Sequence, residues 1–186
     1  MGKRIVAALT IVALSLLAVP AADASPIGVT VSPEAYCGIT WGSLDKTAGP
    51  GTSPQSPLTD IRTGRHACYD RMVFDVVGAA PGYRVHYVDR VTTVGSGSTL
   101  PLTGGARIEI VLRAPASTPH GRITYSARTG GALPGVDLTG YRTFRSARYG
   151  GSFEGVTIVG LGVRARLPFR VFKLDHRLVV DVAHQW

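Results

Sequence analysis

Downstream of residue 61, apolar and polar side chains alternate along most of the chain. Met72, Phe74 and Val76 alternate with Arg71, Val73 and Asp75, and Tyr83, Val85 and Tyr87 with Arg84, His86 and Val88. The cleanest case sets Ile108, Ile110 and Leu112 against Arg107, Glu109 and Arg113. A strand turns successive side chains to opposite faces, so each segment predicts one core face and one polar face. The first two segments read as half-buried strands joined by a Gly/Ala/Pro turn. Residues 156–163 are apolar on both faces, as expected of a central strand, and residues 168–174 and 177–182 predict a hairpin about Asp175-His176. Further short strands are expected at residues 39–41 and 122–126, the second inside a long loop or insertion over 114–140. No 3.6-residue apolar period stands out beyond the N-terminal segment. Seven or eight short strands predict an all-β chain, an antiparallel β-sandwich with a flexible N-terminal arm.

The N-terminus changes where this sandwich is expected to work. Lys3 and Arg4 precede an apolar run over residues 5–19, and Ala22-Asp23-Ala24 places small residues where signal peptidase reads. The run falls short of the roughly 20 apolar residues that cross a bilayer. Cleavage is expected after Ala24, or near Ala21 and Ala22, leaving a protein that is secreted or held in the envelope and spans no membrane. The organisation expected is a signal peptide over 1–24, a Pro/Gly/Ser-rich arm over 25–60 that is partly docked, and the sandwich over 61–186.

Two cysteines, Cys37 and Cys68, would enter a compartment that permits disulfides. Their pairing closes a loop of about 31 residues and contributes roughly 3.5 kcal/mol on the chain-entropy model. It staples the arm to the first clear strand; a free catalytic thiol is the alternative. The net charge is +8, which becomes +7 once Lys3, Arg4 and Asp23 leave with the leader. A basic exported protein is drawn to polyanions. The arginines are scattered through the strands instead of forming a block, so no nucleic-acid partner is expected.

The segment Gly64-Arg-His-Ala-Cys-Tyr-Asp-Arg-Met-Val-Phe-Asp-Val, followed by Pro81-Gly-Tyr-Arg-Val-His-Tyr-Val, resembles the AMIN-like domain of exported actinobacterial proteins. Residues 149–163, 168–174 and 177–182 fit the same pattern, as does Trp41-Gly-Ser upstream. The resemblance implies a sandwich related to the targeting domain ahead of bacterial cell-wall amidases, a module that brings proteins to peptidoglycan or to envelope assemblies. No zinc amidase segment follows the module here, so its targeting role is expected to be self-contained.

The residues offer little catalytic chemistry. There is no HExxH among the histidines, so neither a metal nor another cofactor is expected. His66 and Asp70 make the best acid–base pair, as i and i+4 on one strand face, although Asp70 equally suits an Arg partner or a turn cap. His176 reads as a turn residue and His184 as a strand end. Ser96, Ser98 and Ser152 lie in Gly-rich turns without the G-x-S-x-G elbow. Gly160-Leu-Gly162 imitates a dinucleotide fingerprint without its helix, and tight packing accounts for it. Glu109 is expected in a cross-strand pair, and Glu154 in a turn.

Binding is easier to support. Arg suits carboxylates and phosphates, and tyrosines offer flat apolar surfaces with a polar tip. Tyr69, Arg71 and Arg84 are the candidate ligand-binding residues; strand edges and solvated outer faces are the ordinary use of the same side chains. The reading is a secreted, non-catalytic module for a cell-wall glycan or an associated anionic envelope polymer. A protein-interaction domain with an envelope protein as partner is the alternative, ahead of a small hydrolase.

Overall fold

The computed structural model describes residues 36–49 and 56–186. The expected signal peptide, and the parts of the arm at 25–35 and 50–55, lie outside the described residues. Among the described residues, nine strands form two antiparallel sheets: β1 (Lys46–Ala48), β2 (Leu58–Arg65), β3 (Tyr69–Val76), β4 (Tyr83–Val88), β5 (Ala106–Leu112), β6 (Phe144–Phe153), β7 (Val156–Val163), β8 (Phe169–Leu174) and β9 (Arg177–Ala183). One sheet has the order β2-β3-β9-β8 and the other β1-β4-β5-β7-β6. The all-β sandwich read from the alternation is the observed architecture, with one 3-10 turn at Tyr36–Gly38.

The core lies between the sheets. Met72 and Phe74 of β3 and Leu178 and Val180 of β9 meet Ile108 and Ile110 of β5 and Val159 and Leu161 of β7, all fully buried. Each such side chain contributes about 1.5–3 kcal/mol by leaving water. The loop over 113–143 adds Ala116, Tyr125 and Leu133 to the same core. It is therefore packed against the sandwich, and Thr157 ties it down by donating from its hydroxyl to the Ala114 carbonyl.

Several elements differ from expectation. The half-buried strands β3 and β4, adjacent in sequence, belong to different sheets, because alternation marks a core face without saying which sheet it serves. No strand forms at 39–41; Gly42 makes a single bridge to Phe169, and the arm's strand is β1, paired with β4. Likewise 122–126 holds only the Ser117–Ile123 bridge. The longest strand, β6, is hidden by two register shifts, at Phe144/Ser146 and Tyr149/Gly151, which break the two-residue period. β2 is an edge strand with a shift at Leu58/Asp60, and Leu58 and Ile61 are its only two large buried side chains.

The two outer faces are finished differently. In the five-stranded sheet, Val91, Leu100 and Leu102 lie over β7 with Ile158 as a partner. A Cβ on Gly162 would stand 2.0 Å from the Thr103 carbonyl oxygen, and one on Gly160 would stand 2.8 Å from Leu102 Cδ1. These glycines let the loop approach the strand, which is the packing role expected of them. The outer face of the four-stranded sheet carries a layer of arginines, aspartates and aromatic rings instead.

Candidate functional site

β3 turns Met72 and Phe74 inward and Tyr69, Arg71, Val73 and Asp75 outward. Across β9, Arg71 stands opposite Asp181, and Asp181 stands opposite Arg170 of β8. The register thus sets one carboxylate between two guanidinium groups. Arg71 donates from Nε to Asp181 Oδ1 at 2.7 Å and from Nη2 to Oδ2 at 2.9 Å, while Arg170 donates from Nε to Oδ2 at 2.8 Å. Asp181 is fully buried beneath them. A buried carboxylate is costly unless its lone pairs are satisfied, and charge-assisted bonds from arginine do so. In return, the Asp181 bonds hold the Arg71 guanidinium even more firmly protonated than usual.

Aromatic rings hold the same guanidiniums from the sides. The Arg170 guanidinium carbon lies 5.0 Å from the Phe172 ring centre, 5.3 Å from Tyr69 and 5.4 Å from Trp41. Arg71 lies 5.2 Å from Tyr69 and also donates to its hydroxyl at 3.2 Å. Such cation–π contacts add about 0.5–1 kcal/mol each at exposed sites. His66 stacks on Tyr69, with centroids 4.5 Å apart. Trp41 arrives from the arm, where its indole N–H donates to the Tyr36 carbonyl. The expected disulfide between Cys37 and Cys68 is formed, and the Gly42–Phe169 bridge holds the segment beside β8.

A second group repeats the plan further along the face. Arg62 donates from Nε and Nη2 to both oxygens of Asp75, at 2.6 and 3.0 Å, and Arg177 donates from Nε to Asp75 Oδ1 at 3.0 Å. The Arg62 hydrogen bond, opposed by partial burial and aided by the Arg177 charge, holds the Asp75 carboxyl below its ordinary value. A groove of about 240 Å³ beside this group is lined by Arg62, Thr63, His66, Arg71, Leu174 and Arg177, with the buried Val73 and Val179 beneath.

The structure thus brings Tyr69 and Arg71 together and leaves Arg84 elsewhere. Arg84 sits on β4 in the other sheet and pairs at 2.9 Å with Asp45, both side chains more than half exposed. Its hydrogen bond is the main reason the Asp45 carboxyl lies below its ordinary value.

The expected face-sharing of His66 and Asp70 is not observed. β3 begins at Tyr69, so the alternation does not reach back to His66 in the preceding turn. Asp70 points inward, fully buried, and accepts from the Thr143 and Phe144 backbone N–H groups at 2.5 and 3.0 Å. Its other oxygen lies 3.1 Å from His184 Nε2, and His184 Nδ1 lies 3.2 Å from the Ala67 carbonyl oxygen. Asp70 therefore caps the start of β6. Asp70 and His184 line a cavity of about 380 Å³ together with Arg65, His66, Gly140 and Arg142, and no Ser, Thr or Cys lines it among the described residues. The carboxylate–imidazole pair thus has no nucleophile to activate there.

The remaining candidates have structural partners. Glu109 stands opposite His86 in the β4–β5 ladder, 3.5 Å away. The Ser152 hydroxyl accepts from Ala116 N–H and bonds Thr157. Ser96 and Ser98 bond each other within a turn. Among the described residues, no three His, Cys, Asp or Glu side chains are grouped to hold a metal ion.

Sequence reasoning missed Trp41, Asp181, Arg170 and Arg177 as members of this face. The i, i+2 pattern Arg170-x-Phe172 and Arg177-x-Val179-x-Asp181 was the available signal, since those residues share the face opposite Phe169, Leu178 and Val180. It becomes interpretable only once β9 is known to lie between β3 and β8.

The family model of the AMIN-like domain matches residues 56–184. That span begins two residues before β2 and includes every strand except β1. No curated protein and no solved structure matches the chain.

Proposed function

Because the chain belongs to the AMIN-like domain family, a group of targeting modules of the cell-wall amidase type, we propose that it is a non-catalytic module holding to the cell wall through the outer face of its four-stranded sheet. The observation that carries this reading is the state of Arg170. Three aromatic rings and a buried carboxylate fix its guanidinium, while both terminal nitrogens remain without a hydrogen-bond partner among the described residues. A cation ordered at this expense of burial and packing is preorganised for an anionic partner, because little side-chain entropy is left to lose on binding.

In this reading Tyr69 and Arg71 position Arg170 and Asp181, and Arg84 contributes only to the positive field of the other sheet. The ligand is a wall glycan or an anionic polymer attached to it. The disulfide and the N-terminal leader pattern support work outside the cytoplasm.

The test is co-sedimentation of the protein with purified peptidoglycan sacculi across increasing salt, with Arg170→Gln beside the parent. Retention that weakens in Arg170→Gln while the fold is unchanged supports the reading. Absence of retention on any sacculus preparation removes it.

A further inference from the structure

The cavity lined by Asp70 and His184 has a floor that is already satisfied and walls that are not. Both nitrogens of the His184 ring face acceptors, Asp70 Oδ1 at 3.1 Å and the Ala67 carbonyl oxygen at 3.2 Å. A ring with a proton on each nitrogen satisfies both, and its charge then offsets that of the buried Asp70. The second Asp70 oxygen is taken by the Thr143 and Phe144 N–H groups. The floor therefore has its hydrogen bonds spent inside the protein.

The walls are cationic. Arg65 ends β2, and its Nη1 would lie 2.9 Å from a Cβ placed on Gly140. Gly140 has a φ of +76°, so it turns the chain and also leaves that space to the guanidinium. Arg142 follows just after the turn and lines the same cavity. Its neighbour Arg145 spends its terminal nitrogens on the Tyr141, Arg142 and Phe144 carbonyls. Arg65 and Arg142 are exposed and make no side-chain hydrogen bond or ion pair among the described residues. Asp137 in the same loop accepts from the Thr139 hydroxyl and N–H, which chiefly hold its carboxyl below the ordinary value, with Arg65 the smallest contributor. Arg65, Arg142 and the charged His184 thus stand against Asp70 and Asp137, which leaves the cavity with a surplus positive charge.

We propose that this cavity is a second binding site, for a phosphate group carried by a small monoester or by a phosphodiester polymer, with Arg65 and Arg142 as its donors. Two guanidiniums that reach one cavity from separate segments suit a tetrahedral group, whose oxygens point in several directions. A planar carboxylate is answered by a single fork. At about 380 Å³ the cavity lies at the small end of ligand sites, and it leaves room beside the phosphate for the group that carries it. Arg170 is not among the lining residues, so this site goes beyond the wall-binding face and does not depend on it.

The experiment is a titration of the folded protein with glycerol phosphate, followed by backbone amide NMR shifts. Acetate serves as the carboxylate control and poly(glycerol phosphate) as the polymeric probe. Saturating shifts are expected at Ala67 and at residues 140–143. Arg65→Gln and Arg142→Gln should each weaken binding about tenfold, the effect of losing one charge-assisted contact. Neither guanidinium holds a partner inside the protein, so both variants are expected to fold. Arg113→Gln and Arg170→Gln should bind glycerol phosphate as the parent does. Tighter binding of the polymer at equal phosphate supports the site with a polymer as its source, and equal binding supports it with a small monoester. Unchanged affinity in both Arg65→Gln and Arg142→Gln overturns the proposal, as does acetate binding as tightly as glycerol phosphate. Shifts that do not saturate, or an equal loss in Arg113→Gln, also overturn it by showing diffuse charge alone. Any of these failures leaves sacculus retention through Arg170 untouched, and loss of that retention leaves this site standing.

Discussion

The two outer faces of the sandwich solve the same problem in opposite ways. The five-stranded sheet hides its apolar outer face under Val91, Leu100 and Leu102, and two glycines in β7 let that loop lie close. The four-stranded sheet has valines on its outer face as well, but long charged side chains fold over them and are locked by carboxylates and rings. A packed loop is a finished surface, with its hydrogen bonds spent internally. An ordered array of guanidiniums is unfinished, because its terminal donors still face outward chemistry. The comparison teaches that burial on an outer face can come from a packed loop or from a layer of paired arginines, and that unspent donors tell the two apart.

The largest expected way to break the contrast is the double variant Cys37→Ser, Cys68→Ser. It should cost roughly 3.5 kcal/mol in denaturant unfolding by freeing a loop of about 31 residues. It should also weaken sacculus retention at temperatures where the chain still folds, because Trp41 loses its anchor beside Arg170. Next comes Asp181→Asn, which leaves two guanidiniums sharing a buried amide. Breaking a buried ion pair costs about 3 kcal/mol at the low end, the end suited to arginines that are 23% and 30% exposed at the side chain. Stability and retention should fall together.

On the covered face, Gly162→Ala should cost about 2 kcal/mol, since a Cβ there collides with backbone and forces a shift. Its thermal midpoint should drop while retention of the folded fraction stays at the parent level. A loss of retention would show that the two faces are coupled after all.

The smallest effect is in pH. The folded Asp75 carboxyl sits below its ordinary 3.8, chiefly through Arg62. A depressed carboxyl contributes stability that is fully present above that ordinary value and is lost as pH falls through the folded one. Arg62→Gln should therefore cost less than about 1 kcal/mol at neutral pH, given how exposed the pair is, and the difference should vanish in strong acid. A difference that persists well below the folded titration would mean that Arg62 acts through packing over Val73 instead of charge.

Much of this fold is written in local alternation. The strands β3, β4 and β5 carry the period-two pattern of a half-buried sheet, β7 is apolar on both faces, and β8 and β9 flank a turn; all lie where those signals run. What could not be read locally is what a partner strand decides. β6 breaks its own period with two bulges, β1 is three residues long, and β2 is a polar edge. The site follows the same rule. Tyr69 and Arg71 are legible as outward residues on β3, but their meaning comes from Asp181, 110 positions later in the case of Arg71. Arg84 shows the limit from the other side: the same alternation marks it as outward, and only the sheet order reveals that it serves another face.

The strand order also governs when this molecule can become itself. β9 is the last strand in sequence, yet it sits in the interior of its sheet, between β3 and β8. A chain emerging N-terminus first holds the β2–β3 hairpin with one long edge unsatisfied until β4 to β8 have all appeared. Pairings of such sequence separation are slow to find, and an open edge in the meantime is a template for the wrong neighbour. The arginine-rich face assembles in that same final step, because Asp181 travels on β9 and the guanidiniums have no common anchor before it arrives. Arrival of β9 therefore acts as a clock for both the closed sheet and the arginine layer, and a chain lacking that one strand would lose the two together.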